Sequence, residues 1–231
     1  MDLTRREFLG YTAGAVGMVT LPQQPGAAAE PRSEGFQRWW TFYSDPNTYG
    51  CESMRGYWSA LSPQPSWSSA GDPDRFARLS LLIVPYVVSL RPGFLEYVTH
   101  VLQYGTTVVI ESGAGFADHC TFRRHRRWLR ENLGVRVVSP RDPWANQSPP
   151  GARYIEFTWP RRVKIRDFSR VVPPADGAGD DVIAWAGDLA VATRRRVGKG
   201  TLIYLGSPVG PSLWAGDVEA RRWLHAVAHA A

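Results

Sequence analysis

The sequence is short of several features that would identify a class of protein at once. Its 231 residues contain only two cysteines and three methionines, so a disulfide-rich scaffold and a cysteine-rich metal cluster are both excluded. No run approaches the roughly 20 apolar residues that span a bilayer. The hydrophobic share of 44% and the charged share of 21% are those of a globular domain, and the length favours one sizeable core.

Two motifs of nucleotide-binding and hydrolytic proteins are missing as well. The turn 197–201, "VGKGT", lacks the earlier glycine of a phosphate-binding loop, and Gly200 stands where Ser or Thr must follow the lysine. A Gly-x-Ser-x-Gly elbow around Ser112 would need glycines at the positions of Ile110 and Ala114. Neither ATP hydrolysis of the phosphate-loop type nor a standard serine elbow is therefore expected.

The two cysteines, Cys51 and Cys120, both follow predicted strands in short loops. The expected sheet brings them to one edge, where they could form a disulfide in an oxidising compartment. Two separate thiols, or a metal site shared with His119 and His125, are the alternatives. Zinc sites usually contain closely spaced pairs of ligands, which this chain lacks, so we predict no metal.

Positive charge and aromatic residues are what the sequence has in excess. The net charge is +6 and there are ten tryptophans. Four arginines follow helical spacing in "RRHRRWLR", and four aromatic residues lie near the first predicted strand and helix. They are Arg123, Arg126, Arg127, Arg130, Trp39, Trp40, Tyr57 and Trp58. We expect them to form a surface for a partner protein, with a solvated helix face and an aromatic core as the alternatives.

Residues 1–29 are typical of an export signal rather than of a folded domain. Arg5 and Arg6 precede the apolar pair Phe8 and Leu9, which is a twin-arginine pattern, and the small residues at 27–29 suit cleavage. We expect export by the twin-arginine translocase to the periplasm or cell envelope, which argues against a nucleic-acid partner. Residues 30–35 are expected to form a linker, and an uncleaved signal would be the domain's contact with the membrane.

Residues 36–231 are predicted to form a single α/β domain. The apolar runs 79–90 and 106–112 are typical of strands covered on both faces. Helices predicted between them, and a further strand at 135–140, complete a β-α-β-α-β series. This order favours a three-layer, mostly parallel, doubly wound sheet, followed by an antiparallel hairpin and a terminal helix with Asp217 as its N-cap.

The segments "LLIVPYVVSL", "YGTTVVIESGAG" and "DLAVATRRRVGKGTLIYLG" resemble, in this order, the class I glutamine amidotransferase-like family, which has a flavodoxin-type fold. The resemblance covers about residues 79–205 and is closer to noncatalytic versions, such as the middle domain of some β-galactosidases. Catalytic members carry a Cys at a strand-to-helix elbow and a later His and Glu. The resemblance places Gly113, Leu205 and Ser207 at those positions, and so implies that the catalytic machinery is absent.

We therefore expect a noncatalytic exported domain that binds a ligand or partner, as an accessory subunit of a cell-envelope complex. Ligands of open α/β folds bind at the carboxyl edge of the sheet. The residues expected on the floor of this site are Asp45, Tyr86, Glu111, Ser112 and Ser207.

Two other functions stay open. Glu111 closes an apolar strand, so with Asp45 or His119 it could be the acid-base group of a hydrolase, or it could hydrogen-bond loop amides and hold the turn. The aromatic residues around "FYSDPNTYG" could enclose a flavin or a related cofactor, although the sequence identifies no particular one.

Overall fold

The computed structural model describes residues 39–42, 51–61, 79–90, 92–145, 153–167, 169–175 and 180–231. The segments 1–29 and 30–35 lie outside this part, so the export signal and linker stay predictions. None of the described helices is long and apolar enough to cross a membrane. The strands are β1 Trp39–Phe42, β2 Leu79–Val87, β3 Thr107–Ser112, β4 Tyr154–Phe157, β5 Val163–Arg166, β6 Asp181–Ala186, β7 Leu189–Val197 and β8 Gly200–Leu205. The helices are α1 Cys51–Ala60, α2 Pro92–Tyr104, α3 His119–Leu133, α4 Gly210–Trp214 and α5 Val218–Ala230.

The described strands form one mixed sheet in the order β1-β2-β3-β8-β7-β6-β4-β5. Strands β1, β2, β3 and β8 pair in parallel. Strands β8, β7, β6, β4 and β5 pair antiparallel. The expected mostly parallel, doubly wound, flavodoxin-like sheet is therefore wrong.

The error has its source at residues 135–140, which were expected to continue the parallel series. In this region Val137 and Arg141 form only isolated antiparallel bridges, to Pro174 and Val171. Strand β8 takes the place beside β3 instead. Because β8 is one arm of the tight β7–β8 hairpin, it brings an antiparallel half of the sheet with it.

Buried apolar side chains lie on both faces of the sheet. Along β2, Leu81 and Ile83 belong to the core under α1 and α5, whereas Leu82 and Val84 belong to the core under α2 and α3. This alternation follows from the period of two in a strand. In β4 and β5, at the antiparallel end, every second side chain is exposed, as expected where only one face is covered.

Helix ends agree with the sequence signals that mark them. Helix α2 begins at Pro92, and Gly105, with φ 107°, follows its end. The Asp118 carboxylate accepts from the Cys120 and Thr121 amides at the start of α3. The expectation that Asp217 caps the last helix is confirmed, since its carboxylate accepts from the second and third amides of α5.

Strand β2 continues past Pro85 to Val87. The pairing with β3 shifts between Val84 and Val87 and then resumes, because proline has no amide hydrogen to donate to the ladder. Tyr86, in this bulge, has a φ of 49°, a conformation that costs a non-glycine residue about 1 kcal/mol or more. Gly113 lies against it, so close that an added Cβ would be 2.6 Å from the Tyr86 carbonyl oxygen.

Candidate functional site

The carboxyl ends of β2, β3 and β8 carry the described members of the expected ligand floor. Tyr86 is partly exposed, but Glu111, Ser112 and Ser207 are buried, at 0%, 2% and 3% exposure. Asp45 lies outside the described residues. The expected residues thus meet at one edge, as a hydrogen-bonded interior rather than an open floor.

Glu111 accepts hydrogen bonds from two separate segments of the chain. The hydroxyls of Ser53 and Tyr57, one turn apart on α1, each donate to one of its carboxylate oxygens. The amides of Val209 and Gly210, at the start of α4, donate to Oε1 over 2.7 and 3.1 Å. The carboxylate therefore joins β3 to α1 and to the β8–α4 loop.

Burial raises the pKa of Glu111, and the bonds from Ser53, Tyr57, Val209 and Gly210 oppose the rise. The same burial, together with the nearby carboxylate, raises the pKa of Tyr57. All four contacts of Glu111 are internal, and its side chain is closed to solvent. This is the arrangement expected of a group that holds a turn.

Ser112, the next residue, contacts a histidine that sequence reasoning did not place there. Its Oγ lies 2.9 Å from Nε2 of His125, on the second turn of α3. His125 Nδ1 lies 2.6 Å from the backbone carbonyl oxygen of Val88. The Ala114 amide also donates to Ser112 Oγ, over 3.3 Å. A serine, an imidazole and an orienting carbonyl are thus joined in series.

The carbonyl of Val88 determines the tautomer of His125. A carbonyl can only accept, so Nδ1 carries the ring proton and Nε2 is left to accept the Ser112 hydroxyl proton. Burial lowers the pKa of His125 to about 4, so the ring is neutral at pH 7. A neutral imidazole facing a hydroxyl is the state that a general base requires.

A second buried cluster lies beside this pair. Asp167 accepts from the hydroxyl of Ser207 over 2.6 Å, from the Ser169 amide over 3.1 Å and from the indole of Trp144 over 2.9 Å. Gly115 is pressed against the same segment, since an added Cβ would be 2.4 Å from the Arg170 carbonyl oxygen. Ser207 is thus engaged with Asp167 and not with Ser112.

Tyr86, at the end of β2, is a partly exposed aromatic side chain. Burial and the negative charge of Glu52, in the first turn of α1, raise the pKa of its phenol. Non-glycine residues with positive φ concentrate where a protein contacts ligands. Tyr86 is therefore a candidate contact for a ligand at this edge.

The residues expected to form a partner surface differ in their exposure. The arginines of α3 are solvent-exposed, whereas Tyr57 is fully buried and Trp58 packs against the core. The side chains of Trp39 and Trp40 lie outside the description. The four exposed arginines are Arg123, Arg126, Arg127 and Arg130. A docking partner for them stays a prediction.

Cys120 is a free, exposed thiol, and the side chain of Cys51 is not described, so the proposed disulfide stays untested. In the part of the chain that the structure covers, no three His, Cys, Asp or Glu side chains are grouped to hold a metal ion. His119 is exposed at the start of α3, while His125 points into the core. The two histidines are therefore on different sides of the helix.

Comparison with known proteins finds a likeness of fold. No protein-family model matches the chain, and no curated protein matches it. Among solved structures, an exo-β-1,4-mannosidase from Opitutaceae bacterium strain TAV5 matches at 10% identity and a TM-score of 0.56, over 81% of this chain and 35% of that one. A β-galactosidase from Bacillus circulans sp. alkalophilus matches at 16% identity and a TM-score of 0.53, over 81% of this chain and 31% of that one.

In a third match, the part that is similar to this chain makes up nearly the whole of the other protein. A cytoplasmic protein from Salmonella typhimurium LT2 has 10% identity and a TM-score of 0.56, over 84% of this chain and 98% of that one. The chain spans about a third of the length of the two glycoside hydrolases.

These findings overturn the amidotransferase-like and flavodoxin-like interpretation. The sheet is mixed, no amidotransferase family model matches, and the similar structures include glycoside hydrolases. The noncatalytic function rested on that resemblance and is withdrawn with it.

Proposed function

We propose that this protein is a hydrolase of acyl esters of carbohydrates, with Ser112 as its nucleophile and His125 as the base. The observation that carries the proposal is the series from Ser112 Oγ through the His125 ring to the Val88 carbonyl, with contacts of 2.9 and 2.6 Å. A nucleophile, a base and a group that orients the base are the parts that acyl transfer to serine requires.

The carbohydrate part of the proposal is supported by the structural neighbours. They include a mannosidase and a β-galactosidase, of which this chain covers about a third, so the fold alone is shared. An acylated sugar combines the class of substrate of those proteins with the acyl chemistry of a serine and histidine pair.

In the proposed reaction, Ser112 Oγ attacks the acyl carbon while its proton passes to His125 Nε2. The imidazolium then protonates the sugar oxygen, which leaves as an alcohol, and a water that His125 deprotonates releases the acid. The Ala114 amide, 3.3 Å from Oγ, is a backbone donor beside the reacting centre. Because Ser112 is 2% exposed, a substrate reaches it only when the turn 113–115 moves.

The test is hydrolysis of p-nitrophenyl acetate and of an acetylated oligosaccharide by the purified protein. Ser112→Ala is expected to lower the rate by a factor on the order of 10³ or more, and His125→Gln by about 10²–10⁴. Ser212→Ala is the matched control, because Ser212 is a fully buried serine that donates to the Arg166 carbonyl. A fluorophosphonate probe should label the wild type at Ser112. Full activity in Ser112→Ala, without such labelling, would refute the proposal.

A second candidate is hydrolysis of a glycosidic bond, with Glu111 as the acid and Asp45 or His119 as its partner. Burial raises the pKa of Glu111, as in the general acids of glycosidases, and the neighbours include glycosidases. Assays with p-nitrophenyl mannoside and galactoside separate the candidates. The second candidate predicts activity that survives Ser112→Ala and is lost in Glu111→Gln.

A further inference from the structure

Tyr204, on β8, is a neighbour of Ser112 that the proposed reaction leaves unused. It pairs in register with Ile110 on β3, and Ser112, two residues after Ile110, lies on the same face of the sheet. The ring of Tyr204 is buried in the core on that face. Its hydroxyl is hydrogen-bonded to the side chain of Ser112. A phenol therefore lies beside Ser112 Oγ, in addition to the imidazole of His125.

The single proton of the Tyr204 hydroxyl is engaged elsewhere. It is donated to the backbone carbonyl of Val172 over 2.9 Å, and a carbonyl can only accept. Ser112 in turn donates its proton to Nε2 of His125. Burial raises the pKa of the Tyr204 phenol, and the bond with Ser112 opposes the rise, so the phenol keeps its proton at pH 7. Tyr204 is thus a permanent hydrogen-bond donor whose present acceptor is Val172.

Val172 belongs to a segment, residues 169–175, that lies across the carboxyl edge of the sheet and that we call the strap. The Val172 amide donates to the Gly206 carbonyl over 2.8 Å, and an added Cβ on Gly206 would be 2.3 Å from the Val172 carbonyl oxygen. A Cβ on Gly115 would likewise be 2.4 Å from the Arg170 carbonyl oxygen. Because the strap touches the turn that follows β3, that turn cannot move outward unless the strap moves too.

Displacement of the strap changes what Tyr204 can bind. Once the Val172 carbonyl has left, the phenol has lost its acceptor, and Ser112 is the side chain beside it. The Ala114 amide, 3.3 Å from Ser112 Oγ, is a second donor at the same place. A pair of donors around the reacting atom is the arrangement that stabilises the oxyanion of acyl transfer.

We propose that Tyr204 is an oxyanion donor of the Ser112 site, and that the strap withholds it through the Val172 carbonyl until a substrate displaces the strap. The proposal rests on the proposed function, since it needs Ser112 as the nucleophile. As Ser112 Oγ bonds to the acyl carbon, the carbonyl π electrons pass to the carbonyl oxygen, and the Ser112 proton passes to His125. Tyr204 donates a hydrogen bond to the new oxyanion and keeps its own proton.

The first test is the turnover of p-nitrophenyl acetate by Tyr204→Phe, which lacks only the hydroxyl. Loss of one oxyanion donor is expected to lower kcat by about 10²-fold or more, with a change in KM of less than about threefold, because the bond forms in the transition state and not with the bound ester. Tyr97→Phe is the matched control. It removes a hydroxyl from another buried tyrosine of the same core, and kcat is expected to stay that of the wild type.

The second test is hydrogen exchange of the strap in the full chain, measured by mass spectrometry without any substrate. In the wild type the strap amides are expected to exchange faster than those of β3, because the strap opens without global unfolding. Tyr204→Phe removes one bond that holds the strap closed, so its amides should exchange about fivefold faster, the equivalent of one hydrogen bond. Tyr97→Phe should leave their exchange unchanged. Faster opening together with slower turnover is the combination that the proposal requires.

The possible failures are distinct. Wild-type or higher kcat in Tyr204→Phe, with Ser112 still labelled by a fluorophosphonate, would overturn the oxyanion role and leave the proposed function standing. Exchange of the strap only at the rate of global unfolding would overturn the strap as the device that withholds Tyr204. A wild type that neither hydrolyses the ester nor is labelled at Ser112 would refute the proposed function, and the oxyanion role with it.

Discussion

At the scale of single residues, Glu111 shows how a buried charge can hold an edge of a sheet. Its donors belong to α1 and to the start of α4, so the carboxylate fixes both elements to the end of β3. Hydrogen bonds to a charged group contribute about 1.5–3 kcal/mol each, and they offset the cost of burying the carboxylate.

Replacement of Glu111 by Gln is expected to lower the free energy of unfolding by about 3 kcal/mol or more. The amide group of glutamine presents its own hydrogens to hydroxyls and amides that donate to Glu111 in the wild type. Urea unfolding measures the change, and Glu96→Gln, at an exposed position on α2, is expected to stay within about 0.5 kcal/mol of wild type. Unchanged stability together with lost glycoside hydrolysis would instead support the second candidate function.

His125 is expected to make stability depend on pH below neutrality. Its pKa is about 4 in the folded protein and about 6.5 in the unfolded chain. Above pH 6.5 the ring is neutral in both states and stability is unaffected. As the pH falls from 6.5 to about 4, the unfolded chain takes up the proton first, so about 3 kcal/mol of stability is lost.

Comparison with His125→Gln isolates this contribution from that of the carboxylates. Urea unfolding between neutral pH and pH of about 4 should give a steeper loss of stability in the wild type than in the variant. Parallel curves for the two proteins would mean that His125 keeps its ordinary pKa and is not buried as described.

At the scale of elements, α1 and α4 cross where two glycines meet. A Cβ on Gly56 would lie 1.9 Å from the Gly210 carbonyl oxygen, and the contact is with backbone that cannot rotate away. The Glu111 carboxylate lies beside this crossing, since Tyr57 and Gly210 both donate to it. Close approach of the two helices is thus a condition for its hydrogen bonds.

Gly56→Ala is expected to lower the free energy of unfolding by about 1–3 kcal/mol or more, because the methyl group forces the helices apart. Gly93→Ala is the control, since Gly93 lies in α2 with nothing within 4 Å of an added Cβ, and alanine there should stabilise the helix by up to about 1 kcal/mol. Thermal unfolding of both variants tests the pair, and equal melting temperatures would contradict the described crossing.

The elements also show what the sequence could and could not predict. Local signals placed the helix ends, because proline, glycine and Asp caps act within one turn. The pattern at 135–140 predicted a strand that would pair with β3. Pairing between strands depends on contacts far apart in the sequence, and it is β8 that pairs with β3. Ser112 and Glu111 were identified as candidates from the strand that they end, and the turn-holding role of Glu111 was among the alternatives.

The contact between His125 and Ser112 was not predicted, since the sequence indicated His125 only as an alternative metal ligand. The signal that could have located it is the helical phase of α3, since His125 is three residues after Phe122 and four before Leu129, both of which are buried. A histidine in phase with the apolar face points into the core. The partners of Glu111 at 209 and 210 are backbone amides, and no side-chain pattern identifies them.

At the scale of the whole molecule, α5 covers the core on one face of the sheet. Its buried face consists of Ala220, Trp223, Leu224, Val227 and Ala228. The ring of Trp223 lies 4.8 Å from that of Phe157 on β4, and its indole donates to the Trp159 carbonyl over 3.1 Å. The last helix thus connects the antiparallel end of the sheet to the shared core.

Trp223→Ala is expected to cost about 3–5 kcal/mol of unfolding free energy, as for other large aromatic residues deleted from a core. The neighbouring exposed residue provides the control, and Arg221→Ala should be within about 0.5 kcal/mol of wild type. Near-ultraviolet circular dichroism and urea unfolding measure both. A small effect of Trp223→Ala would show that α5 is peripheral to the fold.

The hydrogen bonds of Glu111 also have a consequence for synthesis of the chain. Until Val209 and Gly210 have left the ribosome, the carboxylate lacks half of its donors, and Gly56 has no helix to pack against. One edge of strand β3 also stays unpaired until β8 has been synthesised. An unpaired edge strand is prone to pair with other chains. A nascent chain that stalls before Gly200 therefore exposes this edge, and its survival depends on chaperones rather than on its own core.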